Sequence, residues 1–156
     1  MSSQDNFLYA EEMKRALKKI SYNKFIVITM PNADTQGSIY REAIEKLKLE
    51  NPDRILLIEN FGKANYFSAM HYASILLGNT SSGILEAASF GKYVVNVGDR
   101  QKGRAQSKNV INCEFEEKAI ISSVNKAVEF KVYEGENIYF KLNAAENIIK
   151  IIKQLS

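Results

Sequence analysis

The feature that most constrains this chain is the alternation of short, continuously apolar runs with longer segments of helical periodicity. The apolar runs are strand-length and occupy Phe25–Met30, Ile55–Ile58, Ser74–Gly78 and Tyr93–Val97, with a shorter fifth at Val110–Ile111. They lack the polar–apolar alternation of a half-exposed strand, so we expect them to be covered on both faces. Segments of helical pattern separate them, which predicts βαβ units and a parallel sheet flanked by helices.

The helical segments are recognised by apolar residues recurring at three- and four-residue steps. Helices are predicted over residues 10–20, 37–49, 64–73, 83–90, 116–130 and 141–155. Gly91 is predicted to end the fourth of them. With 156 residues, one domain with its own core is expected. The fold prediction is therefore an α/β chain with a single Rossmann-like domain.

Composition excludes several kinds of chemistry. The chain has one histidine, His71, and one cysteine, Cys113, too few for a disulfide or a zinc site of Cys and His ligands. A net charge of +3 is too small to predict a nucleic-acid partner. No secretory leader and no apolar run of membrane-spanning length is present. We expect a cytoplasmic protein without metal, cofactor or membrane partner.

The ligand site of such a fold is expected beyond the carboxyl ends of the strands. The segment 78–83 leads from the third strand into a helix, whose first N–H groups carry partial positive charge. Hydroxyls at Thr80, Ser81 and Ser82 add donors, and Gly83 lets the backbone approach a ligand closely. The pattern predicts either a phosphate site or an ordinary helix cap. It is neither a Walker loop nor a dinucleotide fingerprint.

Charged residues near this segment have two interpretations each. Glu86 lies one turn inside the helix, where its carboxylate either accepts hydrogen bonds from ribose hydroxyls or is simply solvated. Arg100 and Arg104 follow the fourth strand and either clamp a diphosphate with fork geometry or belong to a solvated loop.

Uncharged candidates flank the other strand ends. Asn32 follows the first strand, where a ligand contact and a loop cap are both compatible with its position. Phe61, Tyr66 and Phe67 follow the second strand, where they either offer a face to a nucleobase or pack in the core.

Five motifs, in this order and spacing, carry a resemblance to a known family. They are PNAD at 31–34, GNTSSGILEA at 78–87, SFG at 89–91, VVNVGDRQKGR at 94–104 and NVI at 109–111. Together they resemble the C-terminal half of hydrolysing UDP-N-acetylglucosamine 2-epimerases, over about residues 10–155.

The resemblance implies a glycosyltransferase-B arrangement of two Rossmann-like domains, with the UDP portion held by the C-terminal one. Residues 1–156 are then expected to be that UDP-binding domain. The UDP-contacting set implied for this chain, with the segments argued above, is Asn32, Phe61, Gly62, Phe67, Thr80, Ser81, Ser82, Gly83, Glu86, Arg100, Gln101 and Arg104. Thr80 to Ser82 match the diphosphate contacts and Glu86 the ribose contact. Phe67 falls near the uracil pocket.

The family's reaction implies removal of UDP from C1 with loss of the C2 proton, giving a 2-acetamidoglucal, to which water adds to form N-acetylmannosamine. Its acid and base carboxylates lie in the N-terminal domain, which has no counterpart here. We therefore expect no catalytic residue in this chain, weak UDP binding, and no epimerase activity by the chain alone. The resemblance also implies a sialic-acid-like pathway and a homo-oligomeric full-length protein.

Two other functions are considered. The donor-binding domain of a glycosyltransferase-B enzyme has the same architecture, and the GDRQKGR segment at 98–104 favours the epimerase over it. A non-catalytic module, such as a receiver-like domain, would need a carboxylate after the third strand. Asn79 and Thr80 stand there instead.

Overall fold

Helices and strands alternate from α1 to β4 in the computed structural model, which describes residues 3–31 and 37–155. In chain order the elements are α1 (Ser3–Ser21), β1 (Ile26–Thr29), α2 (Gly37–Glu50), β2 (Ile55–Ile58), α3 (Gly62–Tyr72), β3 (Ile75–Gly78), α4 (Ser81–Leu85), a 3₁₀ turn (Ala87–Phe90), β4 (Tyr93–Val97), β5 (Val110–Cys113), α5 (Glu117–Phe130) and α6 (Ala144–Leu155). The order of strands and helices is the predicted one, and the parallel α/β class is confirmed.

All strand pairs are parallel, as the alternation predicts, but among the described residues the pairing is two plus three. β1 pairs with β2, while β3, β4 and β5 form a second sheet. Leu77 of β3 packs against the apolar clusters of both sheets. The two sheets therefore share one core, although their hydrogen-bond ladders are separate.

Helix α1 packs against both α2 and α5 and supplies side chains to both clusters. Its Ala16 is buried with Val95 and Ile120, while the adjacent Leu17 is buried with Leu47 and Ile55. These positions are apolar because water is excluded from the contact between helices and sheet. One helix therefore contributes side chains to the core of both sheets.

The opposite face of β3 and β4 is covered by α3, α4 and the 3₁₀ turn, with Met70, Ala87 and Val94 buried between them. The predicted single helix over 83–90 is wrong in form, because α4 ends at Leu85 and a 3₁₀ turn follows. Its predicted end is right: Gly91 adopts φ +66° and its N–H donates to the carbonyl groups of the turn.

The segment between α5 and α6 forms no helix or strand, yet it is attached to α4 and the 3₁₀ turn. Asn137 is buried, and its amide donates to the Leu85 carbonyl at 3.0 Å and to the Ser89 hydroxyl at 2.7 Å. Helix α6 is the predicted amphipathic helix, with its isoleucines more than half exposed. Among the residues described, no helix is both long and apolar enough to cross a membrane.

Candidate functional site

The loop between β3 and α4 lies open to solvent. Gly78 ends β3 with φ +144°, and no heavy atom lies within 4 Å of the place where a Cβ would stand. Thr80 caps α4, its hydroxyl accepting from the Ser82 N–H at 3.4 Å. Of the two predicted roles, the helix cap is therefore observed for Thr80. Thr80 and Ser81 are both exposed beside it.

Glu86 and Ser82 are brought together one turn apart. The Ser82 hydroxyl donates to one carboxylate oxygen of Glu86, and both residues are half-buried. Over residues 3–31 and 37–155, no Lys or Arg forms a salt bridge with Glu86. The carboxylate therefore retains an oxygen that can accept from the hydroxyls of a ligand.

The loop after β4 is held against the loop after β3. Gln101 is 2% exposed and its amide donates to the Asn79 carbonyl at 2.7 Å, while Arg100 donates to the same oxygen at 3.3 Å. Gly98 has φ +73°, and a Cβ there would lie 2.5 Å from the Phe115 ring. Gln101 therefore holds the two loops together, and its Nε2 already donates to the Asn79 carbonyl.

The predicted aromatic residues form a chain of ring contacts that leads to the 3₁₀ turn. Ring centroids are 6.4 Å apart for Phe61 and Tyr66, 6.2 Å for Tyr66 and Phe67, and 5.4 Å for Phe67 and Phe90. Gly62 follows Phe61 with φ +64° and opens α3. The chain of rings ends at the 3₁₀ turn, where one side of Phe67 packs on Phe90. Asn32 lies outside the described residues.

Arg104 lies in a groove next to the loop after β4. It lines an open groove of about 650 Å³ beyond the ends of β4 and β5, between the loop 98–106 and α5. Asn96 and Asn112 also line it. Sequence reasoning missed Asn96, although an asparagine inside an otherwise apolar strand was a visible signal. Cys113 lines the groove too, and burial raises the pKa of its thiol, which keeps it protonated.

The chemistry that these groups support is binding. Hydroxyls, a free carboxylate oxygen and exposed guanidinium groups suit a ligand with an anionic part and several hydroxyls. In the part of the chain that the structure describes, no three His, Cys, Asp or Glu side chains are grouped to hold a metal ion.

Fold and loop together define a class: a Rossmann-like domain with a hydroxyl-rich loop at the carboxyl edge of its parallel sheet. The same fold occurs in a structure of S. aureus MnaA with UDP, which is 18% identical and superposes with a TM-score of 0.73 over 94% of this chain and 41% of that one. The family model described as UDP-N-acetylglucosamine 2-epimerase matches residues 2–153. The chain therefore belongs to the UDP-N-acetylglucosamine 2-epimerase family.

Curated relatives are longer than this chain. It is 32% identical over 136 residues to UDP-N,N'-diacetylbacillosamine 2-epimerase (hydrolyzing) of Legionella pneumophila, covering 87% of this chain and 36% of the relative. It is 34% identical over 151 residues to polysialic acid biosynthesis protein P7 of Escherichia coli, covering 92% of this chain and 38% of the relative. The chain thus spans a little over a third of these relatives.

Proposed function

We propose that this chain is the UDP-holding half of a hydrolysing UDP-amino-sugar 2-epimerase. The observation that carries the proposal is the pair formed by Ser82 and Glu86 beside the open loop at Gly78, inside a chain of this family. The whole protein converts a UDP-linked 2-acetamido sugar and water into UDP and the free 2-epimeric sugar. Family membership favours this reaction over glycosyl transfer.

Each part of UDP has a counterpart among the described residues. The exposed hydroxyls of Thr80 and Ser81 and the open backbone at Gly78 receive the diphosphate. Glu86 accepts from the ribose hydroxyls, and Ser82 holds its carboxylate in position. Phe67 offers its ring to uracil, with Lys63 Nζ 5.9 Å from the ring centroid. Phe61 and Gly62 contribute backbone contacts to the base edge.

The loop after β4 supplies the positive charge of this site. Arg100 and Gln101 position the loop through Asn79, and Arg104 extends from it towards the phosphate or sugar. Asn32, Ser82 and Gly83 complete the contact set. Cationic donors of this kind stabilise a departing diphosphate.

The chemical steps require groups beyond these. Loss of the C2 proton and protonation of the leaving group need an acid and a base of separated pKa, and we place both carboxylates in a further, N-terminal domain that faces this one across the ligand. The whole protein acts as a cytoplasmic homo-oligomer in sialic-acid-like sugar synthesis. Similarity to a diacetylbacillosamine epimerase makes 2-acetamido and 2,4-diacetamido sugars the substrate class.

The test is a titration of the isotope-labelled chain with UDP, followed by amide chemical shifts. We expect millimolar-range binding with shifts concentrated at Ser81 and Glu86. Glu86→Gln should weaken binding roughly tenfold, the effect of removing a charged hydrogen-bond acceptor. Glu129→Gln, an exposed carboxylate on α5, is the matched control.

A companion assay measures release of N-acetylmannosamine from UDP-N-acetylglucosamine by the chain alone, which we expect to be zero. No UDP binding at several millimolar would overturn the proposed site. Measurable release would overturn the assignment of acid and base to another domain.

A further inference from the structure

Three residues form one row across the carboxyl ends of the second sheet. Gly78 of β3 is in register with Asn96 of β4, and Asn96 is in register with Asn112 of β5. In-register residues of parallel strands point to the same face and lie about 4.8 Å apart. The row therefore starts at the loop proposed for the diphosphate and leads away from it, over β4 and β5.

The side chains of this row form a chain of amides. Asn96 donates to the Oδ1 of Asn112 at 2.8 Å, and Asn112 in turn donates to the Oε1 of Gln106 at 2.8 Å. Gln106 returns a 3.3 Å hydrogen bond to the Oδ1 of Asn112. These bonds fix the orientation of the Asn96 amide, because its NH₂ group is committed to Asn112.

The Oδ1 of Asn96 takes no part in these hydrogen bonds. Asn96 is 2% exposed, and its Oδ1 has no hydrogen-bond partner among the described residues. A buried acceptor without a donor is costly. One hydrogen-bond donor is therefore missing from the row. The missing donor belongs at β4, the strand next to Gly78.

Asn96 lines the groove of about 650 Å³, a volume in the usual range of small-ligand sites. Ser122 and Ser123 of α5 line the same groove, as do Lys102 and Arg104 of the loop after β4. Their hydroxyl, ammonium and guanidinium groups are able to donate to the oxygen atoms of a ligand. No aromatic ring is among the described residues that line the groove. A ligand group rich in hydroxyls therefore fits the groove better than a nucleobase.

We propose that this groove receives the acylamino sugar of the nucleotide sugar and that Asn96 accepts a hydrogen bond from its acetamido N–H. The inference rests on the proposed function, which places the diphosphate at Gly78, one strand away. An amide N–H is an obligate donor and matches an acceptor that has no partner among the described residues. Asn96 is thus a specificity-determining residue for the 2-acetamido group.

The experiment compares the dissociation constants of UDP, UDP-glucose and UDP-N-acetylglucosamine for the chain, by titration followed by NMR. We expect the acetamido sugar to bind about fivefold more tightly than UDP-glucose, the worth of one hydrogen bond. Asn96→Leu should remove this preference and leave the affinity for UDP itself unchanged. Asn96→Asp, which keeps an acceptor, should retain part of it.

The matched control is Asn109→Leu. Asn109 is also fully buried with an unpartnered Oδ1, and its amide donates to the Lys92 carbonyl, but it does not line the groove. This variant should keep the preference for the acetamido sugar. Gln106→Ala removes the hydrogen bonds between Gln106 and Asn112 and gives a second test that leaves the buried Asn96 unchanged. It should reduce the preference for the acetamido sugar.

UDP binding with no preference for the acetamido sugar would overturn this inference alone. The same holds if Asn96→Leu keeps the preference, or if that variant does not fold and Gln106→Ala keeps it. Absence of UDP binding would overturn the proposed function, and this inference with it.

Discussion

Gly83 shows, at the scale of one residue, how closely the site is built on the sheet. A Cβ at this position would lie 2.9 Å from Cγ1 of Val94, a buried β-branched side chain with little freedom to move. Gly83→Ala is therefore expected to destabilise the fold by about 1–3 kcal/mol, the usual cost of overpacking. Urea unfolding followed by circular dichroism measures the change.

Ser81→Ala in the same short helix is the control for this prediction. Ser81 is exposed, so the substitution should change stability by less than about 0.5 kcal/mol. Equal stability of Gly83→Ala and the natural chain would show that α4 can lift from β4 at no cost.

Single residues also show what sequence reasoning could reach. Local pattern predicted either a helix cap or a phosphate site at 78–83, and the cap that Thr80 forms was within its reach because a cap depends on neighbours along the chain. It could not predict that the Gln101 amide donates to a carbonyl group 22 residues earlier in the chain. Nor could it show that Arg104 lines a groove beyond β4 and β5, since the direction of a loop depends on tertiary contacts.

The cap of helix α5 is an element-scale feature that joins distant parts of the chain. Its own N-cap residue, Glu116, makes no side-chain cap hydrogen bond. Instead, Glu12 of α1 accepts from the backbone N–H of Glu117 at 2.7 Å. A carboxylate at a helix N-terminus satisfies a free N–H and the helix dipole together. Lys19 also pairs with Glu117 at 2.5 Å.

Glu12→Ala is therefore expected to lower the free energy of unfolding by about 1 kcal/mol, as loss of an N-cap does. Glu11→Ala is a close control, because Glu11 is the adjacent residue and its salt bridge among the described residues is with Lys14 of the same helix, at 2.7 Å. Thermal unfolding of both variants gives the comparison. Equal effects of the two substitutions would mean that Glu12 acts only through α1.

Element positions were predictable to within a few residues in most cases, and the exceptions have physical reasons. The apolar runs locate β2 and β4 at their observed bounds because a charged residue or a glycine stands at each end of both runs. The expected cover on both faces is wrong for β2, since Leu56 is 41% exposed. Apolar periodicity does not distinguish an α-helix from the 3₁₀ turn at Ala87–Phe90, since both bury small residues at similar spacing. It also does not determine which strands pair, because pairing depends on contacts distant in sequence.

Across the whole molecule, exposed ion pairs give the fold a pH dependence. The pKa values of Glu50, Glu59 and Glu117 lie below their ordinary value of 4.5, each chiefly because a Lys or Arg side chain hydrogen-bonds the carboxylate. A lowered pKa in the folded state stabilises the fold above the unfolded pKa, and this stability is lost as pH falls through the folded value.

The melting temperature is therefore expected to be constant from pH 7 to about 5 and to fall below about pH 4.5. These groups are at the surface, so each contributes little and 1 M salt should flatten the decline. Thermal melts at stepped pH measure it. The triple variant Glu50→Gln, Glu59→Gln, Glu117→Gln should show a weaker decline, and a steeper one would contradict the assignment.

Helix α6 presents an exposed apolar face. Ile148, Ile149, Ile151 and Ile152 are all more than 50% exposed, on a helix whose opposite side carries Lys, Glu, Asn and Gln. Contiguous apolar patches of this kind are uncommon on monomers. In the proposed function the remainder of the whole protein covers this face. In the chain alone, the patch has only solvent or another copy to contact.

The chain alone is therefore expected to self-associate with increasing concentration, measured by sedimentation velocity. Ile148→Lys with Ile152→Lys should shift it to monomer, since a lysine ammonium cannot be buried between apolar faces without a partner. Asn147→Lys with Gln154→Lys adds the same two charges on the polar side and should leave association unchanged. Dissociation in both pairs would mean that net charge, and not the isoleucine face, controls assembly, and a monomeric natural chain would mean that α6 attracts no second copy.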